Sequence, residues 1–474
     1  MTRPTVEPGR DPPWWLQEAL AHEGGHDVSP PLEGARSADV AVVGAGYTGL
    51  WAALALRERD PSLDVVVLEA ATCGEGPSGR NGGFLHGYWS SLPRLRAALG
   101  DEGALELARA GDAIVPAVRR LCAERGEDVW LRGAGMLKVA ASPRQEAAVE
   151  RAVAAAEELG VPGEAVPLGA AAVAERCRSP VFRRGVLFRD GATVQPARLV
   201  RALRRAVLAA GVALHEGTPV TRLRPGAPSR LETPRAAVRA DAVVLAVNAA
   251  TAGWRPAAAR LTNFGSYVVL TEPVPELLEE IGWTGGEAIV DGRMFLHYFR
   301  TTADGRVLMG SGSGPIGRGG RVDERFTRDG PSAARAEAGL RRLLPGLARA
   351  RVTAAWGGPI DVSSDQVPFV GTLPGRRVHY AAGFSGNGVG PSWLAAQALA
   401  SLAARSDDEW AALPLVGREP PRLPPEPLKA LGGALVRGAA LRVEEAEEDG
   451  RRGAAPLRAV AALPALLGSP LGRR

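Results

Sequence analysis

Cysteine is scarce in this chain. The three residues Cys73, Cys122 and Cys177, in 474, stand far apart, with no Cys-x-x-Cys pair and no histidine at metal-ligand spacing. A zinc knuckle and a dithiol redox centre are excluded, no metal is expected, and the shortage fits a reducing cytoplasm. Lysine is scarcer still: only Lys138 and Lys429 occur among 57 basic residues, so the formal charge of +5 rests on arginine. Those arginines are scattered and not interleaved with aromatics, which argues against a nucleic-acid partner. Long apolar runs are missing as well. No stretch of about 18 apolar residues occurs, and residues 1–15 carry Pro4, Pro12 and Pro13 in place of an apolar signal core, so neither a membrane span nor export is expected.

Glycine, by contrast, is plentiful at 59 residues, set between periodic segments and not in a low-complexity tract. With 46% hydrophobic residues there is material for a large core and for two or three domains. The glycines matter first within residues 39–69. Asp39-Val40-Ala41-Val42-Val43 predicts a short buried strand, Gly44-Ala45-Gly46-Tyr47-Thr48-Gly49 a sharp turn, and residues 47–57 a helix. Gly44 makes the turn, Gly46 removes the Cβ that would keep a pyrophosphate off the backbone, and Gly49 lets the helix pack on the strand. At the helix start, Tyr47 and Thr48 present free N–H groups at the positive end of the dipole. A second strand over residues 64–68 ends in Glu69, where an acid can accept hydrogen bonds from an adenosine ribose. An acid at this position disfavours a 2′-phosphate; the choice among dinucleotides needs the next residues.

Residues 72–84 form a second, longer glycine-rich loop that a simple nicotinamide domain would not need. Its core, Ser78-Gly79-Arg80-Asn81-Gly82-Gly83, resembles the D-amino-acid oxidase superfamily of FAD-dependent oxidoreductases, in the branch of the gamma-glutamylputrescine, glycine and sarcosine oxidases. The resemblance spans residues 38–405. It implies FAD, with Ser78, Arg80, Asn81, Gly82 and Gly83 along the pyrophosphate and ribityl chain. Asn248, followed by small residues that permit close backbone approach, is implied to pass near the FAD. Gly383, Ser385, Gly386, Asn387, Gly388, Val389 and Gly390, ahead of a helix with Pro391 in its first turn, match the segment that faces the isoalloxazine ring. Some relatives carry flavin covalently on a Cys in the segment matching residues 356–365 or on a His in that matching 78–83. Neither residue stands there, so the FAD is expected to be noncovalent.

The fold class expected is α/β: a Rossmann-type FAD-binding domain interleaved with a mixed or antiparallel-sheet substrate domain, plus a C-terminal extension. Residues 1–37 are a lead-in with one short helix beginning at Pro13-Trp14-Trp15, whose two tryptophans are packing anchors or, alternatively, sit at the substrate mouth or a subunit contact. The FAD-binding domain takes residues 38–90, 185–250 and 352–405. The substrate domain takes 91–184 and 251–351. Residues 406–474 read as short helices that pack on the body or serve as a partner arm. Strand 185–188 is expected to extend the nucleotide sheet, through a helix that gives the crossover parallel strands require.

From the resemblance, the substrate is a small amine or amino acid oxidised to an imine, with oxygen or another acceptor taking the electrons. A hairpin over residues 293–310 supplies Phe295, His297, Tyr298, Phe299 and Arg300, and Tyr267 stands on a neighbouring strand. Alternation puts Phe295, His297 and Phe299 on one face and Tyr298 and Arg300 on the other. His297 is the candidate general base, Tyr298 and Tyr267 are candidate pocket aromatics, and Arg300 is either a bidentate carboxylate binder or a structural ion-pair partner. Oxidases resembling sarcosine oxidase hold a lysine beside the flavin. Strand 306–310, the matching one, has none, so slow reoxidation by oxygen is expected unless Arg300, His297 or Lys138 supplies the charge. Two other readings stay open: a flavin-holding subunit without turnover of its own, and a hydroxy-acid flavoenzyme of the same superfold.

Overall fold

The computed structural model describes residues 4–9, 12–25 and 27–466. Its first large sheet runs, edge to edge, Phe369–Thr372, Val378–Ala382, Ala236–Leu245, Gly34–Val43, Val65–Leu68 and Ala213–His215. Along this path all neighbours are parallel except the outermost pair, Phe369–Thr372 with Val378–Ala382; Arg222–Arg224 and Ser229–Glu232 add an antiparallel branch on Ala236–Leu245. Parallel sheets are covered on both faces, which is why residues 39–43 read as one apolar run and not as an alternation. Val40, Val42, Val65 and Val67 pack beneath the helices Tyr47–Arg59, Pro196–Ala209 and Pro391–Ala404. Ala41, Val43, Val66 and Leu68 point the other way, into a core shared with Leu231 and Val238.

The second sheet has the order Val352–Ser363, Leu261–Thr271, Val307–Ser311, His297–Thr301, Ala288–Val290, Met136–Val139, Gly185–Phe188, Val166–Leu168. It is antiparallel but for the pairing of Ala288–Val290 with Met136–Val139. Helix Gly330–Leu343 covers one face, its Ala333, Ala336, Leu340 and Leu343 packing against Tyr267, Val269, Phe299 and Met309.

Two strands lie in a different sheet from the one expected. Gly185–Phe188 pairs with Met136–Val139, and Val352–Ser363 pairs along its length with Leu261–Thr271. Short apolar runs look alike in either sheet, because ladder partners are set by distant chain. The C-terminal region is also more regular than expected, with a 21-residue helix Leu428–Glu448 and a second helix Ala455–Leu466. The longer one packs on the body: its buried Glu444 accepts from Arg293 Nε at 3.1 Å and from the Met294 amide at 2.6 Å. No helix among the described residues is long and apolar enough to cross a membrane.

Candidate active site

The first glycine turn is built by close backbone approach. Gly44 adopts φ +98°, and a Cβ there would lie 2.5 Å from Ala246 O; one at Gly49 would lie 1.9 Å from Gly44 O, so the helix could not reach the strand. Glu69 spans this turn, accepting from the Ala45 amide at 2.7 Å and the Ala71 amide at 3.0 Å. Gly46 is the N-cap of helix Tyr47–Arg59 and supplies no side-chain cap. The Tyr47 amide is taken by Ser78 Oγ at 3.0 Å, while the Tyr47 hydroxyl donates inward to Pro196 O at 2.9 Å. Thr48 follows on the cavity wall. The Tyr47 amide is therefore not free as expected, because Ser78 caps it; a helix start facing a cavity is still the arrangement that binds a phosphate, through the dipole and the remaining amides.

The second loop is held by its own side chains and by the N-terminal helix Trp14–His22. Asn81 Nδ2 donates to Ser78 O at 2.8 Å and its Oδ1 accepts from the Gly83 amide at 2.8 Å. Trp15, fully buried, donates from Nε1 to Asn81 O at 3.1 Å, and Trp356 Nε1 donates to Arg80 O at 2.9 Å. Arg80 itself is tied to Glu75 O and Gly357 O. The third loop turns on Gly383, Ser385 and Gly386, all at positive φ, before Gly390 caps helix Pro391–Ala404 without a side-chain bond. Asp361 anchors it: Oδ2 accepts from the Gly383 amide at 2.5 Å and Oδ1 from Asn248 Nδ2 at 3.3 Å.

These loops and the open face of the second sheet enclose a cavity of about 460 Å³. On its wall lie Gly46, Tyr47 and Thr48; Ser78, Arg80, Asn81 and Gly82; Asn248; and Ser385, Gly386, Asn387, Gly388 and Val389. Gly44, Gly49, Glu69, Gly83, Gly383 and Gly390 sit behind that wall and shape it. Of the four catalytic candidates only Tyr298 reaches the cavity, its hydroxyl 2.7 Å from Ser266 Oγ and its ring edge-on to Phe84 at 5.8 Å. Burial pushes the Tyr298 hydroxyl up to about 12, the Ser266 bond opposing.

The other three candidates lie elsewhere. His297 is on the opposite face of the strand, buried against helix Gly330–Leu343, with Nδ1 2.8 Å from Asp291 Oδ2. Tyr267 is on that same side and donates to Arg325 O at 2.6 Å. Arg300, on the Tyr298 side, is spent on structure: Nε donates to Gly82 O at 2.8 Å, Nη2 to Val194 O at 2.7 Å, and its guanidinium stacks over Trp15 at 5.1 Å. Among the described residues it makes no ion pair, and it does not line the cavity. Phe295, expected beside His297, lines the cavity with Phe264 at 6.1 Å, because the regular strand begins only at His297 and alternation does not extend into the loop before it.

Sequence reasoning passed over the acid that faces the cavity. Asp361 is fully buried, and burial pushes its carboxyl up to about 6 against the pull of its hydrogen bonds. A lone acid in the apolar run 354–362 was the available signal. Lys138 lines the wall as well, lowered to about 8 by burial and by Arg94 and Arg151 nearby. Of the three groups weighed for a positive charge, it is the one on the cavity.

Glycine turns that admit a pyrophosphate and a side-chain-lined chamber on the neighbouring sheet define a dinucleotide-dependent oxidoreductase. The chain belongs to the DAO family of FAD dependent oxidoreductases, whose family model matches residues 39–402. It is 30% identical over 372 residues to a probable oxidoreductase, OrdL, of Rhizobium meliloti (strain 1021), covering 76% of this chain and 82% of that one. It is 29% identical over 371 residues to the gamma-glutamylputrescine oxidoreductase of Escherichia coli (strain K12), covering 77% and 83%. Glycine oxidase from Geobacillus kaustophilus superposes with a TM-score of 0.66 at 22% identity, over 81% of this chain and all of that one. FAD is thus the cofactor, and the residues present fit it: the helix start at Gly46, the Cβ-free turn and the 386–388 stretch line the cavity with backbone that no bulky side chain covers.

Proposed function

We propose that this enzyme oxidises the C–N bond of an amine or amino acid to the imine, with noncovalently held FAD. When bound, FAD supplies a hydride acceptor at N5. The chain's own contribution is to hold the amine neutral and oriented. Phe84, Phe264, Phe295 and Tyr298 give the amine an apolar enclosure that disfavours its ammonium form. Asp361, ionised above pH about 6, takes the ammonium proton, and the Tyr298 hydroxyl with Ser266 Oγ offers a hydrogen bond that orients the nitrogen. Met136, Phe188, Val290, Ile360 and Phe384 add apolar wall around this face.

The observation that carries this reading is that one cavity is bounded both by the dinucleotide turns and by this aromatic, acid-bearing face. The name of the E. coli relative supports an amine as substrate. Anaerobic mixing with amino acids, N-alkylated amines and polyamines tests it: one class should bleach the flavin. A protein whose flavin is reduced by dithionite and by no amine would overturn the proposal. Acid precipitation should release all the flavin into the supernatant. Flavin left on the polypeptide would contradict noncovalent binding and point to His86, which lies on the cavity wall with Nδ1 2.8 Å from Gly87 O.

A further inference from the structure

Three cations converge on the end of the cavity formed by residues 91–184. Arg94 stands in the first turn of helix Leu92–Gly111, Lys138 on strand Met136–Val139 and Arg151 on helix Glu146–Glu158. Among the described residues none of the three has an ion-pair partner; Arg94 donates only to Gln366 Oε1 and Ser91 Oγ. The remaining charges on the cavity are already satisfied. Asp291 is bound by His297 and by the Arg293 amide, Arg293 by Glu444 and Glu448, Asp361 by Gly383 and Asn248, and Arg80 by two carbonyls. Arg94 and Lys138 are half-buried and Arg151 is exposed at the rim; half-buried cations without a counter-charge carry a desolvation cost that an arriving anion offsets. The lowered Lys138 ammonium registers that cost, through burial first and then Arg94 and Arg151, with the Asp291 carboxylate opposing but not reversing the shift.

Their position in the sheet is specific. Lys138 is level with Val290, and Val290 with Tyr298, so the lysine and the tyrosine stand in one row on one face, two strands apart. Two strand spacings are roughly 10 Å. A group at the cations is therefore several bonds from an amine held at Tyr298.

We propose that Arg94, Lys138 and Arg151 form a binding site for a carboxylate carried by the substrate at its end remote from the reacting amine. The chemistry is that of guanidinium and ammonium donors closing on a carboxylate in a low-dielectric wall, where charge-assisted hydrogen bonds are strongest. The substrate class is then an amine with a remote acid, which rests on the amine reading above.

Binding to the FAD-loaded enzyme is measured by calorimetry, without turnover, so failure of this site and failure of the amine reading are separable. Glutarate is the probe and glutaramide its uncharged counterpart. Wild type should bind glutarate and not glutaramide. Lys138→Met and Arg94→Gln should each weaken glutarate binding by roughly tenfold, as expected when one partner of a half-buried, hydrogen-bonded charge pair is removed. Arg151→Gln, on the cavity rim, serves as a second variant if either core substitution lowers the flavin content. In turnover, the variants should raise KM for an acid-bearing amine far more than for the matching amino alcohol. Equal binding of the two probes would overturn the proposal. So would a Lys138→Met enzyme with wild-type glutarate affinity but slower reoxidation by oxygen, which would leave Lys138 to the oxygen reaction.

Discussion

Along Gly34–Val43 and the turn beyond it, the cavity is met by backbone; along His297–Thr301 it is met by side chains. The first region works by omission, since Gly44, Gly46 and Gly49 clear space for a ligand and a helix. The second works by choice of face. Tyr298 and Arg300 point to the cavity loops while His297 and Phe299 point into the core under helix Gly330–Leu343. A site made of missing Cβ atoms is visible in sequence because its parts are contiguous. A site made of one face of a strand is not, because period-two alternation defines two faces without saying which is covered.

The largest test of the backbone half is Gly46→Val. Its Cβ would stand 2.8 Å from Ser78 Oγ, the atom that accepts from the Tyr47 amide, and would fill the approach to the helix start. The purified variant should carry essentially no FAD, measured as the flavin-to-protein ratio. Full occupancy would break the comparison at its root.

On the strand, the two faces should separate stability from chemistry. His297→Ala removes the ring contact to Asp291 Oδ2, while Oδ1 keeps its bonds from the Arg293 amide and the residue-297 amide; a loss of about 1–3 kcal/mol for a buried acceptor left short of a partner should be read from denaturant unfolding of the holoenzyme. Flavin reduction by substrate should change little, since His297 does not reach the cavity. A variant of normal stability that no longer reduces its flavin would return His297 to the catalytic role the sequence suggested.

Asp361→Asn probes the acid that alternation could not reveal. The wild-type carboxyl, raised by burial to about 6, is ionised above that pH and able to take a proton; below it the protonated acid cannot. Hence kcat/KM should fall roughly tenfold per pH unit below that value, as for a single essential base. The variant should lose this limb and run on the order of a hundredfold slower at neutral pH. A retained acidic limb would assign the proton transfer to another group. Smallest in effect is Tyr298→Phe, which removes the hydrogen bond to Ser266 Oγ but leaves that hydroxyl its bond to Ser311 O. A few-fold rise in KM with unaltered unfolding is expected, and a hundredfold fall in kcat would make the hydroxyl itself the proton carrier.

What the sequence determined by itself is the dinucleotide half: a β-branched run, a glycine turn, a helix, a second strand ending in Glu69, and the later Gly383–Gly390 loop ahead of Pro391. Each of these is encoded within about 30 residues, the span of one strand–turn–helix–strand unit. Tertiary structure alone decided that Gly185–Phe188 and Val352–Ser363 join the second sheet, that Arg300 clamps Gly82 and Val194, and that Asp361, Lys138, Arg94 and Arg151 share one chamber. The reason is physical. Strand pairing and sheet-face covering are made by hydrogen bonds and apolar contacts between segments far apart in the chain, so the residues they assemble carry no common local pattern.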